Sequence, residues 1–260
     1  GIAVAIAFAL HCPSLVLFSL IPVGFAASAM GGAGGPLSVY FVAIAAAECG
    51  KLVSRETKID ILVTPIVTVL TGIGAASVIA APIGAAASAV GDFVKWATVL
   101  QPFFMGMLVS AVIGIALPLP ISSAAICAAL GLTGLAGGAA VAGCCANMVG
   151  FAVASYSDNK IGGLISQGLG TSMLQVPNIL KKPVIWLPPI ISSAILGPIA
   201  SCVLKMENNA IGSGMGTSGL VGPIMGFQVM TQTQTQVWAL IQIFIMYFVL
   251  PGALTLAIAE

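Results

Sequence analysis

Polar residues are sparse along this chain, and the apolar runs between them have the length of membrane helices. Residues 1–27 are apolar but interrupted at His11-Cys12-Pro13. A proline inside a helix removes a hydrogen bond and bends the chain, so the pattern predicts a half-helix and then a full span from Ser14. A glycine-rich turn at 30–36 leads into a second span, 37–53, which ends in a polar loop at 54–60. With Lys51, that loop carries Arg55 and Lys58, and the positive-inside rule places it on the cytoplasmic side. Residues 59–81 read as a return span. Residues 82–93 read as a small-residue linker or surface helix, with Asp92 and Trp96 marking an interface. Further spans are predicted at 97–117, 183–204 and 237–259. The run 124–156 is too long for one helix and is expected to break near 133–138, where Gly134 and Gly138 form a GxxxG motif suited to close helix packing. The whole pattern predicts an all-α polytopic membrane protein of about eight or nine membrane-crossing elements.

Two stretches fit neither a span nor an ordinary loop. Residues 161–177 read IGGLISQGLGTSMLQVP, and residues 212–223 read GSGMGTSGLVGP. Each contains Gly-Thr-Ser, with a proline six residues after the threonine, Thr171 to Pro177 and Thr217 to Pro223. Both are apolar enough to enter a bilayer and too short and glycine-rich to cross it as a straight helix, which takes about 20 residues. Paired interrupted segments are the sequence sign of a transporter binding site. They are expected to be re-entrant hairpins, 161–177 and 212–230, facing one chamber. The competing reading is two connecting loops that resemble one another by chance.

Composition narrows the class. Of 260 residues, 59% are hydrophobic and 6% charged, and the mean hydropathy is +1.16; soluble domains carry about 25% charge. The net charge of +1 excludes electrostatic nucleic-acid binding as the main activity. The chain opens at Gly1 in apolar sequence with no signal-peptide pattern, which reads as a cut into a longer protein. The six cysteines lie mostly in apolar runs without metal-ligand spacing, and read as small packing residues. No metal or cofactor is expected.

Candidate chemistry is limited. Ionisable groups at membrane depth are functional hypotheses by default, and His11 and Glu48 are the two that qualify. Glu48 is one turn from Lys51, so an interface ion pair competes with a functional role. His11 has no acid near it in sequence and reads either as a pH-sensitive group or as part of a helix break. Asp158 and Glu207 read as solvated end-caps beside Lys160 and Lys205. The remaining polar set is neutral: Asn147, Gln167, Thr171, Ser172, Asn178, Thr217, Ser218 and Gln228. Hydroxyls and amides suit a polyol, a sugar or a lipid headgroup, and suit proton coupling poorly. The plain alternative is hydrogen bonding between helices, about 0.6 kcal/mol per bond in membranes. A single histidine, no nucleophile elbow and no phosphate-cradling loop leave no catalytic constellation.

Four runs carry a family resemblance: LPLPISSAAI (117–126), GGLISQGLGTSMLQVPNI (162–179), SAILGPIA (193–200) and GMGTSGLVGPI (214–224). They resemble the IIC-like membrane proteins of the bacterial phosphotransferase system, and more narrowly the subgroup typified by the perfringolysin regulatory protein. The resemblance implies a homodimer in the bacterial inner membrane with an elevator-type architecture. Residues 1–118 would form the interface region, and residues 119–260 the ligand-binding region with its two re-entrant hairpins. It implies a sugar held between the hairpins, and separate IIA and IIB partners that deliver phosphate. The glucose- and lactose-type members carry a Glu-Pro pair and a nearby His as sugar ligands. The matching stretch here has neither Glu nor His, and Gln167, Thr171 and Ser172 stand as its polar candidates. That difference keeps a second expectation open, a non-transporting membrane regulator holding a lipid or apolar ligand in the former sugar site.

Overall fold

The structure, a computed structural model, describes residues 1–56, 59–98 and 100–259; the expected cation Lys58 lies outside the described residues. The helices in chain order are α1 Ile2–Ala9, α2 Ser14–Gly31, α3 Gly35–Val53, α4 Asp60–Ala97, α5 Pro102–Ala116, α6 Ser123–Ala129, α7 Gly134–Ala154, α8 Tyr156–Ile165, α9 Val176–Lys181, α10 Leu187–Pro198, α11 Val221–Met230, α12 Gln236–Phe244 and α13 Leu250–Ala259. Among the described residues, Ser14–Val53, Asp60–Val94, Gly134–Ala154, Pro183–Val203 and Gln236–Ala259 are long and apolar enough to cross a membrane. The first of these folds as the two helices α2 and α3. Shorter apolar helices lie at Pro102–Ala116 and Ser218–Met230. The protein is therefore an all-α, multi-pass membrane protein.

The chain forms two compact units, Gly1–Ala89 with Pro120–Ser122, and Val90–Leu119 with Ser123–Glu260. In the first unit α2 and α3 are an antiparallel hairpin and α4 runs alongside α2. Small residues permit the approach. A Cβ on Gly50 would overlap the Thr68 side chain, one on Gly72 would fall 2.5 Å from Val23 Cγ1, and one on Gly31 would overlap Ser38 Oγ. The core is correspondingly fine-grained: Ala3, Ala7, Val16, Leu20, Val23, Ala27, Val42, Ala43, Ala46 and Ala47 are all buried. Dispersion between closely packed backbones, not burial from water, holds such a bundle in lipid.

Helix α4 departs from the pattern reading. The linker expected at 82–93 is helical, and α4 continues through Pro65 and Pro82 to Ala97. Proline deprives a helix of a single donor, and membrane helices tolerate it better than soluble ones. At 38 residues and about 1.5 Å per residue, α4 exceeds the ~30 Å hydrocarbon thickness.

In the second unit α7 is the axis. Every residue from Gly137 to Ala152 is buried, and α5, α10 and α13 pack around it. The packing places α5 with this unit, whereas the sequence reading drew the line between regions at residue 118. Glycine again sets the spacing. A Cβ on Gly143 would overlap the Ser110 carbonyl, and one on Gly197 the Gly106 carbonyl. Hydroxyls close the same contacts, with Ser110 Oγ donating to Ser193 O at 2.6 Å and Ser201 Oγ to Pro102 O at 2.9 Å.

The break expected in 124–156 falls at Leu130–Thr133. Gly131, at φ +60, ends α6; Leu132 N donates to Cys127 O at 2.9 Å and Gly131 N to Ala128 O at 3.1 Å. This is the glycine-terminated Schellman pattern. The same pattern ends α1 with His11 in the left-handed position at φ +52, where Cys12 N donates to Ala7 O and His11 N to Phe8 O, both at 3.0 Å. His11 is exposed there, and it terminates a helix ahead of Pro13.

Candidate functional site

Both Gly-Thr-Ser segments fall in the second unit and touch. The first begins where α7 ends. Helix α8 is interrupted at Lys160, whose φ of 52° and ψ of −151° are non-helical. A π-turn then runs Ser166–Gly170, with Thr171 N donating to Ser166 O at 2.8 Å. Thr171 is extended, at φ −156° and ψ 139°, and its hydroxyl accepts from Met173 N at 3.1 Å. It thus caps the short 3₁₀ turn Ser172–Gln175 that leads into α9.

The second segment is irregular backbone buried by its own unit. Gly134 and Asn208 form an antiparallel bridge, Asn208 Nδ2 donates to Gly222 O at 3.0 Å, and Ser213 Oγ donates to Leu132 O at 2.8 Å. Gly216 and Gly219 have φ of +54° and +53°, followed by left-handed Leu220 at +59°. A Cβ on Gly138 would overlap the Met206 carbonyl, so the GxxxG glycine of α7 serves this contact inside the chain. Non-helical backbone leaves its polar groups without helical partners, and these bonds satisfy part of them.

Contact between the segments is polar and specific. A helix that stops leaves its last carbonyls without intrahelical partners. Thr217 Oγ1 donates to Gly168 O, and Ser218 Oγ donates to Gly170 O at 2.9 Å. The hydroxyls of the second Gly-Thr-Ser therefore satisfy carbonyls released by the π-turn of the first.

Beside this contact lies a ladder of neutral side chains. Asn178 Nδ2 donates to Gln175 Oε1 at 2.8 Å, Gln175 Nε2 to Gln167 Oε1 at 2.8 Å, and Gln167 Nε2 to Ser155 Oγ at 3.0 Å. An amide offers two donor hydrogens and two acceptor lone pairs. Each amide of the ladder uses one hydrogen within it, so a second hydrogen on each, and the Asn178 oxygen, make no bond in the ladder. A pocket of about 400 Å³ is lined by Asn159, Gly162, Gly163, Ser166, Gln167, Leu174, Gln175 and Asn178. A second cavity, of about 810 Å³, shares Asn159, Gln175 and Asn178 and adds Ser155, Asp158, Lys181, Lys182 and an apolar wall.

Of the residues proposed from sequence, Gln167 and Asn178 line these cavities. Thr171, Thr217 and Ser218 are engaged with backbone groups. Ser172 is buried with an unpartnered hydroxyl. Asn147 lies within α7, where it donates to Gly143 O at 3.2 Å and accepts from Trp186 Nε1 at 3.3 Å. Glu48 and His11 belong to the first unit. Glu48 Oε1 accepts from Lys51 Nζ at 2.7 Å, and both side chains reach solvent-accessible surface. The sequence reading missed Ser155, Asn159, Ser166 and Gln175. A signal existed for Gln175: polar residues recur at 167, 171, 175 and 178, the three- and four-residue spacing of one helix face.

Among the described residues no group of His, Cys, Asp and Glu has the geometry to hold a metal ion. A family model described as Phosphotransferase system, EIIC matches residues 1–260, the whole chain. Neither the curated proteins nor the solved structures gave a match.

Proposed function

We propose that this chain, which belongs to the phosphotransferase system EIIC family, binds a neutral polyhydroxylated ligand, a sugar or a polyol, at the Gln167–Gln175–Asn178 ladder and carries it across the bacterial inner membrane. The observation that carries the reading is the ladder itself, three uncharged amides in register along the wall of a 400 Å³ pocket. A sugar hydroxyl both donates and accepts, and an amide answers both at one position. Ser166 and Asn159 add a hydroxyl and a further amide to the same pocket.

In this reading the Gly-Thr-Ser segments are re-entrant, the first unit forms the interface region, the second unit, with α5, forms the ligand-binding region, and two chains pair in a homodimer. Separate IIA and IIB proteins supply the phosphoryl group, so the chain's part is to present one hydroxyl of the ligand at the cytoplasmic face. The test is equilibrium binding of a hexose and hexitol panel to the purified full chain. Saturable binding is expected for at least one compound, weakened at least 100-fold by the double substitution Gln167→Leu/Asn178→Leu. No binding across the panel, or binding indifferent to both amides, refutes the assignment.

A second reading has one observation in its favour: no carboxylate lines the 400 Å³ pocket. On that reading the protein is a membrane regulator on the same scaffold, holding a lipid or other apolar ligand where transporting relatives hold sugar. Uptake separates the two. A transporter accumulates the ligand that it binds, whereas a regulator binds without accumulation.

A further inference from the structure

The larger cavity of the second unit combines two chemistries. At one end are Lys181 and Lys182, with Asn159 and Asn178 beside them. Away from them, Val184, Leu187 and Ile191 line the wall together with Ile258, and these three are 72%, 51% and 43% exposed. The spacing 184, 187, 191 keeps one face of a helical segment, so the apolar stripe descends about 10 Å from the lysines at ~1.5 Å per residue. Neither lysine is ion-paired; among the described residues the ion pair is Lys51–Glu48. Asp158 is the acid lining the cavity, leaving an excess of one positive charge.

From this geometry we infer that the cleft between Lys181-Lys182 and the Val184–Ile191 stripe is a binding site for an anionic phospholipid, phosphate on the lysines and acyl chain along the stripe. Polarity along the unit agrees. Lys160, Lys181 and Lys182 belong to the end where α7 finishes, whereas Lys205 and Glu207 belong to the end where it starts, as the Asn208–Gly134 bridge fixes. The more basic end is the cytoplasmic one by the positive-inside rule, and basic pockets between membrane helices on that side suit anionic headgroups. The site is separate from the 400 Å³ pocket but shares Asn159, Gln175 and Asn178 with it, so its occupancy bears on the ladder. The inference does not rest on sugar binding and survives a failed sugar panel.

The test titrates purified full chain in detergent with short-chain phosphatidylglycerol, short-chain phosphatidylcholine and glycerol 3-phosphate, read by native mass spectrometry. Phosphatidylglycerol is expected to bind at least tenfold more tightly than phosphatidylcholine. Lys181→Gln/Lys182→Gln should weaken it about 30-fold, from ~1 kcal/mol per lysine, and Lys181→Arg/Lys182→Arg should retain it. Val184→Asn, at an exposed wall position, should weaken the lipid alone. Equal binding of the two lipids, or an unchanged glutamine variant, overturns the inference. Glycerol 3-phosphate binding as tightly as the lipid also overturns it, and assigns the lysines to a soluble phosphate ester.

Discussion

Replacing Gln175 with Leu removes the middle rung of the ladder at nearly constant volume. Gln175 is 6% exposed and bonds on both sides. On one side is Gln167, itself 3% exposed, whose oxygen loses its donor. A buried polar group left without a partner costs about 1–3 kcal/mol. On the other side Asn178 is exposed, and water replaces the lost bond at roughly 0–0.5 kcal/mol. Side-chain bonds in membranes average about 0.6 kcal/mol, which sets a floor. The expected loss is therefore about 2 kcal/mol, or roughly 30-fold in the folding equilibrium. Equilibrium unfolding in mixed micelles would read it, with Asn159→Leu, exposed and outside the ladder, as the internal comparison at under ~0.5 kcal/mol. The double substitution Gln167→Leu/Gln175→Leu should cost less than the sum of the singles by about 1 kcal/mol, because the orphaned oxygen is then gone. If Gln175→Leu lies within ~0.5 kcal/mol of the parent, or Asn159→Leu costs as much, the ladder is not a connected unit and the site loses its basis.

Thr217→Val keeps shape but removes the donor to the buried Gly168 carbonyl; unfolding in mixed micelles should show a loss of about 1–3 kcal/mol, against little for Thr171→Val, whose hydroxyl serves a local turn. Lys160→Gly should stabilise by about 1 kcal/mol in a thermal melt, because φ 52° with ψ −151° is close to glycine-only territory costing ~1–3 kcal/mol, partly offset by glycine's unfolded-state entropy. No ionisable side chain lines the 400 Å³ pocket, so ligand affinity should be flat between about pH 5.5 and 8.5; a sigmoidal change across that range in calorimetry would place a titrating group in the site.

The membrane class and the positions of the two interrupted segments were legible because they rest on composition and repetition. Helix α4 was not, because Pro82 reads as a breaker while in lipid the helix continues past it. The roles of the hydroxyls were hidden for a different reason. A serine or threonine in apolar surroundings looks alike whether it faces a ligand or a carbonyl. What decides is the π-turn at 166–170, one extra residue in a turn, which leaves no mark in sequence. Gln175 was recoverable from spacing, because polar residues recur at 167, 171, 175 and 178. His11 shows the converse: a lone titratable residue invites a functional reading, while its φ of +52° makes it the left-handed stop of α1, a position that glycine fills at the end of α6.

The two broken segments also explain why the breaks occur together. A π-turn that ends in an extended threonine leaves Gly168 and Gly170 with carbonyls that no helix satisfies, and Gly168 is buried. Alone, the first segment would pay the desolvation of these groups, about 1–3 kcal/mol for each buried one. The second segment supplies Thr217 and Ser218 at those oxygens, and holds them there through left-handed turns at Gly216 and Gly219 that a β-carbon would disfavour. Each irregular piece is thus a condition of the other. Gln167 precedes Gly168 directly, so the Thr217 bond that anchors Gly168 also fixes where the ladder begins. A conformational change that separates the segments must break that bond and move Gln167 with it, whereas one that carries both segments together leaves the ladder undisturbed.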